Sequence, residues 1–230
     1  MTQRSILAGE NQTIIIKVGT SVTVKGHDSD RVTAETKGTW GVTLERRSEA
    51  QIGRARAAIG DYVLFDWRIK VPNPIEKKAE NDVIEVQMGG SGEVLVPFSS
   101  KLKIYAGKDI EVQNIQGQVD AFSGLDLNLQ RVYHLGNASA GRVMNIDCQT
   151  IIGNDVTFGA GGDLRFHVTD LTSAHLRVKD IGGYWEARIG GGEKSVYLKS
   201  GGDITLVTDQ NVESLPPNYI LGKIEKPSST

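Results

Sequence analysis

The chain has 230 residues, 26 basic against 28 acidic side chains for a formal net charge of -2, and 39% apolar residues of which few are aromatic. That balance excludes a global field that would steer nucleic acid or anionic lipid, and no apolar run is long enough to span a bilayer as a helix. Cys148 is the single cysteine, which excludes an internal disulfide; the 27 glycines follow no collagen triplet and lie between alternating segments, where they read as turn residues.

Met1 to Glu10 lacks the apolar stretch of a secretory signal, so the expectation is a soluble, cytoplasmic chain with an N-terminal extension over 1–11. An irregular β-rich portion follows over 12–100. Thr13–Val18, Ser21–Lys25, Arg31–Thr36, Gly41–Arg46, Asp61–Phe65, Asp82–Val86 and Glu93–Pro97 each show the two-residue period of a half-buried strand. Val71-Pro-Asn-Pro and Val96-Pro mark strand ends, because proline donates nothing to a ladder. Gln51 to Ala58 is the one stretch that reads as a helical turn, weakened by Gly53 and Gly60.

From 101 to 209 a motif recurs: a glycine turn followed by alternating apolar residues. Gly107-Lys-Asp-Ile-Glu-Val, Gly124-Leu-Asp-Leu-Asn-Leu, Gly141-Arg-Val-Met-Asn-Ile, Gly161-Gly-Asp-Leu-Arg-Phe, Gly182-Gly-Tyr-Trp-Glu-Ala and Gly201-Gly-Asp-Ile-Thr-Leu are its copies. A short unit that buries one face only when stacked on its neighbours is a solenoid coil. The fold class expected is therefore all-β, a single-stranded β-solenoid or β-helix with coils of about 17–21 residues, a spacing typical of such repeats. Ile110, Leu127, Met144, Leu164, Trp185 and Ile204 are expected to form one inward column, and Val112, Leu129, Ile146, Phe166, Ala187 and Leu206 a second. Shorter strands around Val119, Leu135, Val156, Leu176 and Val196 supply another face of each coil. The stretch 210–230, with Pro216-Pro217, reads as a C-terminal tail that covers one end, as the irregular first half covers the other.

The order of these motifs resembles the bacterial putative-adhesin family, also called toastrack domains. The resemblance runs over about residues 12 to 208 and is carried by Thr20-Ser-Val-Thr-Val-Lys-Gly-His-Asp-Ser-Asp-Arg-Val-Thr-Ala-Glu, by Val96-Pro-Phe-Ser-Ser-Lys-Leu-Lys-Ile-Tyr-Ala-Gly-Lys-Asp-Ile-Glu-Val-Gln-Asn-Ile, and by the Gly-x-Asp-Ile/Leu coils. It implies a single-chain β-solenoid without defined catalytic residues, at the cell envelope and associated with membrane stress or surface attachment.

No catalytic residue, metal site or cofactor is expected. His27-Asp-Ser-Asp30 offers metal-binding side chains but reads as a polar turn, and Cys148 alternates with Met144 and Ile146 as a small buried hydrophobe. Asp109, Asp126, Asp163 and Asp203 recur as a carboxylate column; they read as turn caps, with a carbohydrate-cleaving β-helix as the chemical alternative. Arg46, Arg47, Arg54 and Arg56 form the densest basic cluster, a candidate contact for phosphate, lipid headgroups or an acidic partner, with Glu45, Glu49 and Asp61 beside them for local pairing. Trp40, beside a glycine turn, is the aromatic candidate for ligand contact. The function expected is a non-enzymatic, adhesin-like scaffold acting through self-association or an envelope partner, with a carbohydrate-binding or carbohydrate-cleaving protein as the alternative; nucleic acid is not an expected partner.

Overall fold

A computed structural model describes residues 2–9, 11–37, 41–48, 82–171, 174–180, 183–188 and 194–208. The strand expected at Asp61–Phe65, the helical turn at Gln51–Ala58, the proline-bounded strand end at Val71, the tail 210–230, and the candidates Trp40, Arg54 and Arg56 lie outside the described residues.

The described chain is all-β. Its strands are β1 (Thr2–Leu7), β2 (Thr13–Val18), β3 (Val22–His27), β4 (Arg31–Thr36), β5 (Val42–Ser48), β6 (Asp82–Met88), β7 (Gly92–Pro97), β8 (Lys101–Ala106), β9 (Ile110–Ser123), β10 (Leu127–Ala140), β11 (Met144–Ile151), β12 (Asp155–Ala160), β13 (Leu164–Asp170), β14 (Ala174–Asp180), β15 (Gly183–Arg188), β16 (Lys194–Ser200) and β17 (Ile204–Thr208). In β8, β12 and β16 buried positions recur every second residue, the pleat of a strand with one face on a core.

Hydrogen bonding arranges the strands in two ladders. The first runs β1, β4, β7, β3, β9, β10, β11, β13, β17. The second runs β5, β6, β2, β8, β9, β10, β12, β16, β14, β15. Strands β9 and β10, each 14 residues long, pass through both ladders and tie them together. They turn the corner at Asn114 and Arg131, which adopt left-handed backbone with φ of 58° and 54°.

Pairing is parallel through the body of each ladder and antiparallel only near the ends, where β1, β4, β5 and β15 sit. In-register parallel pairing lines up like residues. Val22, Ile110, Leu127, Met144, Leu164 and Ile204 make one interior row, and Val24, Val112, Leu129, Ile146, Phe166 and Leu206 a second; every one of these residues is buried. The second ladder supplies Val86, Ile16, Ile104, Ala121, Ala138, Phe158 and Leu198. The two sets face each other across one hydrophobic core, and the Phe158 and Phe166 rings meet there at 4.8 Å. Each fully buried aliphatic side chain contributes about 1.5–3 kcal/mol, so the rows are the main source of stability.

The glycine of each turn stacks on the glycine of the next. An added Cβ on Gly124 would lie 2.1 Å from the Gly107 carbonyl oxygen, on Gly141 2.0 Å from that of Gly124, on Gly161 2.1 Å from that of Gly141, and on Gly201 2.2 Å from that of Gly161. The repeat needs glycine here for close approach of backbones, not for a special φ.

One expectation is corrected. Trp185 and Ala187 do not join the interior columns: Leu164 pairs directly with Ile204, while β15 folds back antiparallel on β14, with Trp185 opposite Val178 and Ala187 opposite Leu176. The chain there makes a hairpin and then inserts β16 between β12 and β14. The N-terminal extension over 1–11 contains a strand, β1, paired along its whole length with β4.

Candidate functional surfaces

Arg46 and Arg47 are adjacent on β5, so they point to opposite faces. The Arg46 guanidinium donates from Nη2 to the Leu7 carbonyl at 2.9 Å and lies 3.9 Å from the Asp82 carboxylate, which clips β5 to the end of β1. Arg47 reaches Glu45 at 2.9 Å and Glu85 at 3.0 Å. The structure therefore does not bring these two arginines to one face, and each has an acidic partner.

Glu85 is the buried carboxylate of this region, 2% exposed. Burial pushes its pKa up, but the Lys17 ammonium at 2.6 Å, a hydrogen bond from Gln87 and the charge of Arg47 outweigh that, and the net shift is below the ordinary 4.5. The trio joins three strands, β2, β5 and β6. It is built to hold strands together, with both cations already committed.

The recurrent aspartates act on backbone. Asp109 Oδ1 accepts from the Asp126 N–H at 3.3 Å, Asp126 Oδ1 from the Val143 N–H at 3.3 Å, and Asp163 Oδ1 from the Asp203 N–H at 3.0 Å. Each carboxylate thus caps the next turn. Val143 breaks the column, and Arg142 pairs with Asp126, holding its carboxyl below the usual range through a hydrogen bond and its charge. A second line runs along the other ladder, where Asp120 Oδ1 accepts from the Asn137 N–H at 2.8 Å and Asn137 Oδ1 from the Thr157 N–H at 3.1 Å.

His27 contacts the Arg31 carbonyl at 2.9 Å across the tight turn between β3 and β4, with Asp28 and Asp30 exposed. His167 Nδ1 meets Asp147 Oδ1 at 2.9 Å on the outer face of the first ladder. Cys148 is buried, and desolvation together with the charge of Asp147 pushes its thiol up to about 12, which leaves it a poor nucleophile. No group of three potential metal ligands occurs among the described residues, and no helix there is long and apolar enough to cross a membrane.

Among the described residues, two further surfaces stand out. One is β1, exposed along nearly its whole length, with Leu7 52% exposed. The other is the outer face of the second ladder, where Tyr105 and Phe122 stack with centroids 5.2 Å apart. Sequence reading missed both. β1 lacks apolar alternation, and Tyr105 and Phe122 become neighbours only through the register of β8 on β9.

No protein-family model matches the chain, and no curated protein matches it significantly. Among solved structures, a crystal structure of a putative cell adhesion protein from Clostridium sporogenes ATCC 15579 aligns with 90% of this chain and 99% of its own, at 9% identity and a TM-score of 0.46.

Proposed function

We propose that this protein is a non-enzymatic β-solenoid scaffold that works by associating with further copies of itself through the strand edges at the ends of its ladders. The observation that carries the reading is β1. Every residue of β1 is exposed except the half-buried Ile6, which packs against the core, and among the described strands its ladder partner is β4 alone. An exposed edge strand of six residues with one charged side chain, Arg4, is a template for strand addition.

The strand directions support a head-to-tail mode. β17 is parallel to β13 and so, through the ladder, to β7; β4 opposes β7 and β1 opposes β4, which makes β1 parallel to β17. A second copy placed end to end would extend the first ladder in the same sense that built it. Such a contact is heterologous and propagates into rings or filaments. The toastrack resemblance adds the cell envelope as the setting and an envelope protein as the other partner class.

Light scattering coupled to size exclusion, across a concentration series, tests the reading. The expected outcome is mass growth with concentration, abolished by Gln3→Lys with Leu7→Lys, which place two charges on the edge without touching the core. A strict monomer at every concentration sinks the proposal.

A further inference from the structure

We propose that the outer face of the second ladder carries a saccharide-binding slot that uses Phe122 as its stacking platform. The row that builds it runs Tyr105, Phe122, Ser139, Gly159, Lys199 across β8, β9, β10, β12 and β16. The row faces outward, because the flanking residues Ala121, Ser123, Ala138, Ala140, Phe158, Ala160, Leu198 and Ser200 are buried.

The geometry of the stack sets the direction of the site. The two rings are inclined by only 14° at a centroid separation of 5.2 Å. Rings that near to parallel and that close lie face to face with an offset, since coplanar rings need more room. Tyr105 and Phe122 are register partners on adjacent strands, so the stack runs along the ladder. Tyr105 therefore covers one face of Phe122, and the other face turns toward Ser139 and Gly159.

Neither of those residues is long enough to cover it. A Cβ added to Gly159 would meet nothing within 4 Å. Three strand spacings of ~4.8 Å put Lys199 roughly 14 Å from Phe122, which leaves a lane with an aromatic wall, a floor of small residues and a cationic far side. Two residues upstream, Asn137, Thr157 and Tyr197 form the rim. The Asn137 side-chain oxygen is committed to the Thr157 N–H at 3.1 Å, so its NH₂ group, with two donors, is the end left for a ligand.

A hexopyranose fits this chemistry. Its C–H face is apolar and about the size of a six-membered ring, and its equatorial hydroxyls accept from amide, hydroxyl and ammonium donors at the ring edge. A site of one exposed ring face beside fixed polar groups is the usual division of labour in a small-ligand site. The carboxylate on the adjacent outward position, Asp120, is held by the Asn137 N–H at 2.8 Å, and the role proposed for the slot is binding. The slot stands on residues other than Trp40 and the aspartate column.

Saturation-transfer NMR on the full chain, with cellotetraose, chitotetraose and tetragalacturonate as probes, is the test. Transfer to the ring C–H protons of at least one probe is expected. Gly159→Tyr, which fills open space on an outward position, should weaken that binding at least about tenfold, the equivalent of one lost aromatic contact, with an unchanged circular dichroism spectrum. Phe122→Leu, which keeps apolar bulk but removes the ring, should do the same. Absence of transfer to all three probes, or wild-type binding by both folded variants, overturns the proposal. Since neither substitution lies on β1, loss of sugar binding leaves self-association unaffected.

Discussion

Gly141 illustrates how one residue type serves the repeat. The sequence shows a glycine at each turn, and turn chemistry is the reading it invites. The added fact from the structure is that a Cβ there would sit 2.0 Å from the Gly124 carbonyl oxygen, a contact no rotamer relieves. Gly141→Ala should therefore destabilise by about 3 kcal/mol, as an overpacked site does, read as a fall in the urea midpoint at constant slope. Gly159→Ala, facing open space, should stay within about 0.5 kcal/mol of the parent, and the pair separates close approach from a general loss of glycine. Arg131 makes the opposite case. Its φ of 54° matches that of its stacked neighbour Asn114 at 58°, yet of the two residue types asparagine is the one that tolerates that region. Arg131→Asn should stabilise by about 1 kcal/mol, and an unchanged or lower urea midpoint would show that the corner is relaxed by other contacts.

At the scale of elements, what was legible depended on whether a segment's neighbours lie near it in sequence. The column Ile110, Leu127, Met144, Leu164 and Ile204 could be read because successive sequence repeats carry a turn glycine and the same alternation. Trp185 was misplaced because Gly182-Gly-Tyr-Trp carries that local pattern, and alternation does not encode strand direction. The packing of β6 on β2 and of β7 on β3 joins segments about 70 positions apart, separated by residues with no repeat to count, and β1 has no apolar period at all. The arginine cluster was legible as charge but not as geometry, since strand alternation sends Arg46 and Arg47 apart.

Glu85 was not singled out either, because a glutamate between Ile84 and Val86 reads as an outward residue. Its role can be tested by pH. A carboxyl whose folded pKa is lowered contributes stability that is present above its unfolded value and lost as pH falls through the folded one. With 4.5 as the ordinary value and the folded value below it, the urea midpoint should drop as the solution is acidified past 4.5. Glu85→Gln should flatten that part of the profile and, at neutral pH, destabilise by about 2 kcal/mol through loss of the charge-assisted hydrogen bond from Lys17 and the ion pair with Arg47. A variant that keeps the parent's acid profile would show that other carboxylates govern it.

At the scale of the whole molecule, the two ladders share β9 and β10, which sit near the middle of both. Every other described strand belongs to one ladder only. Opening the molecule from either end breaks one interface at a time, as in any stack of nearest neighbours, whereas freeing β9 or β10 breaks both ladders at once. Amide exchange should therefore be slowest at Val112, Ala121, Leu129 and Ala138, and should become faster outward toward β1 at one end and β17 at the other. The same topology predicts slow refolding. The central strands pair segments about 17 residues apart, as Ile110 with Leu127, but completing the N-terminal end requires β2 to find β6, as Thr13 with Val83, and such non-local parallel pairing is formed late. Pulse-labelled exchange during refolding should protect β9 to β11 before β2 and β6. Protection arising in β2 and β6 first would mean that the N-terminal strands nucleate the fold and that the regular coils are laid down on them.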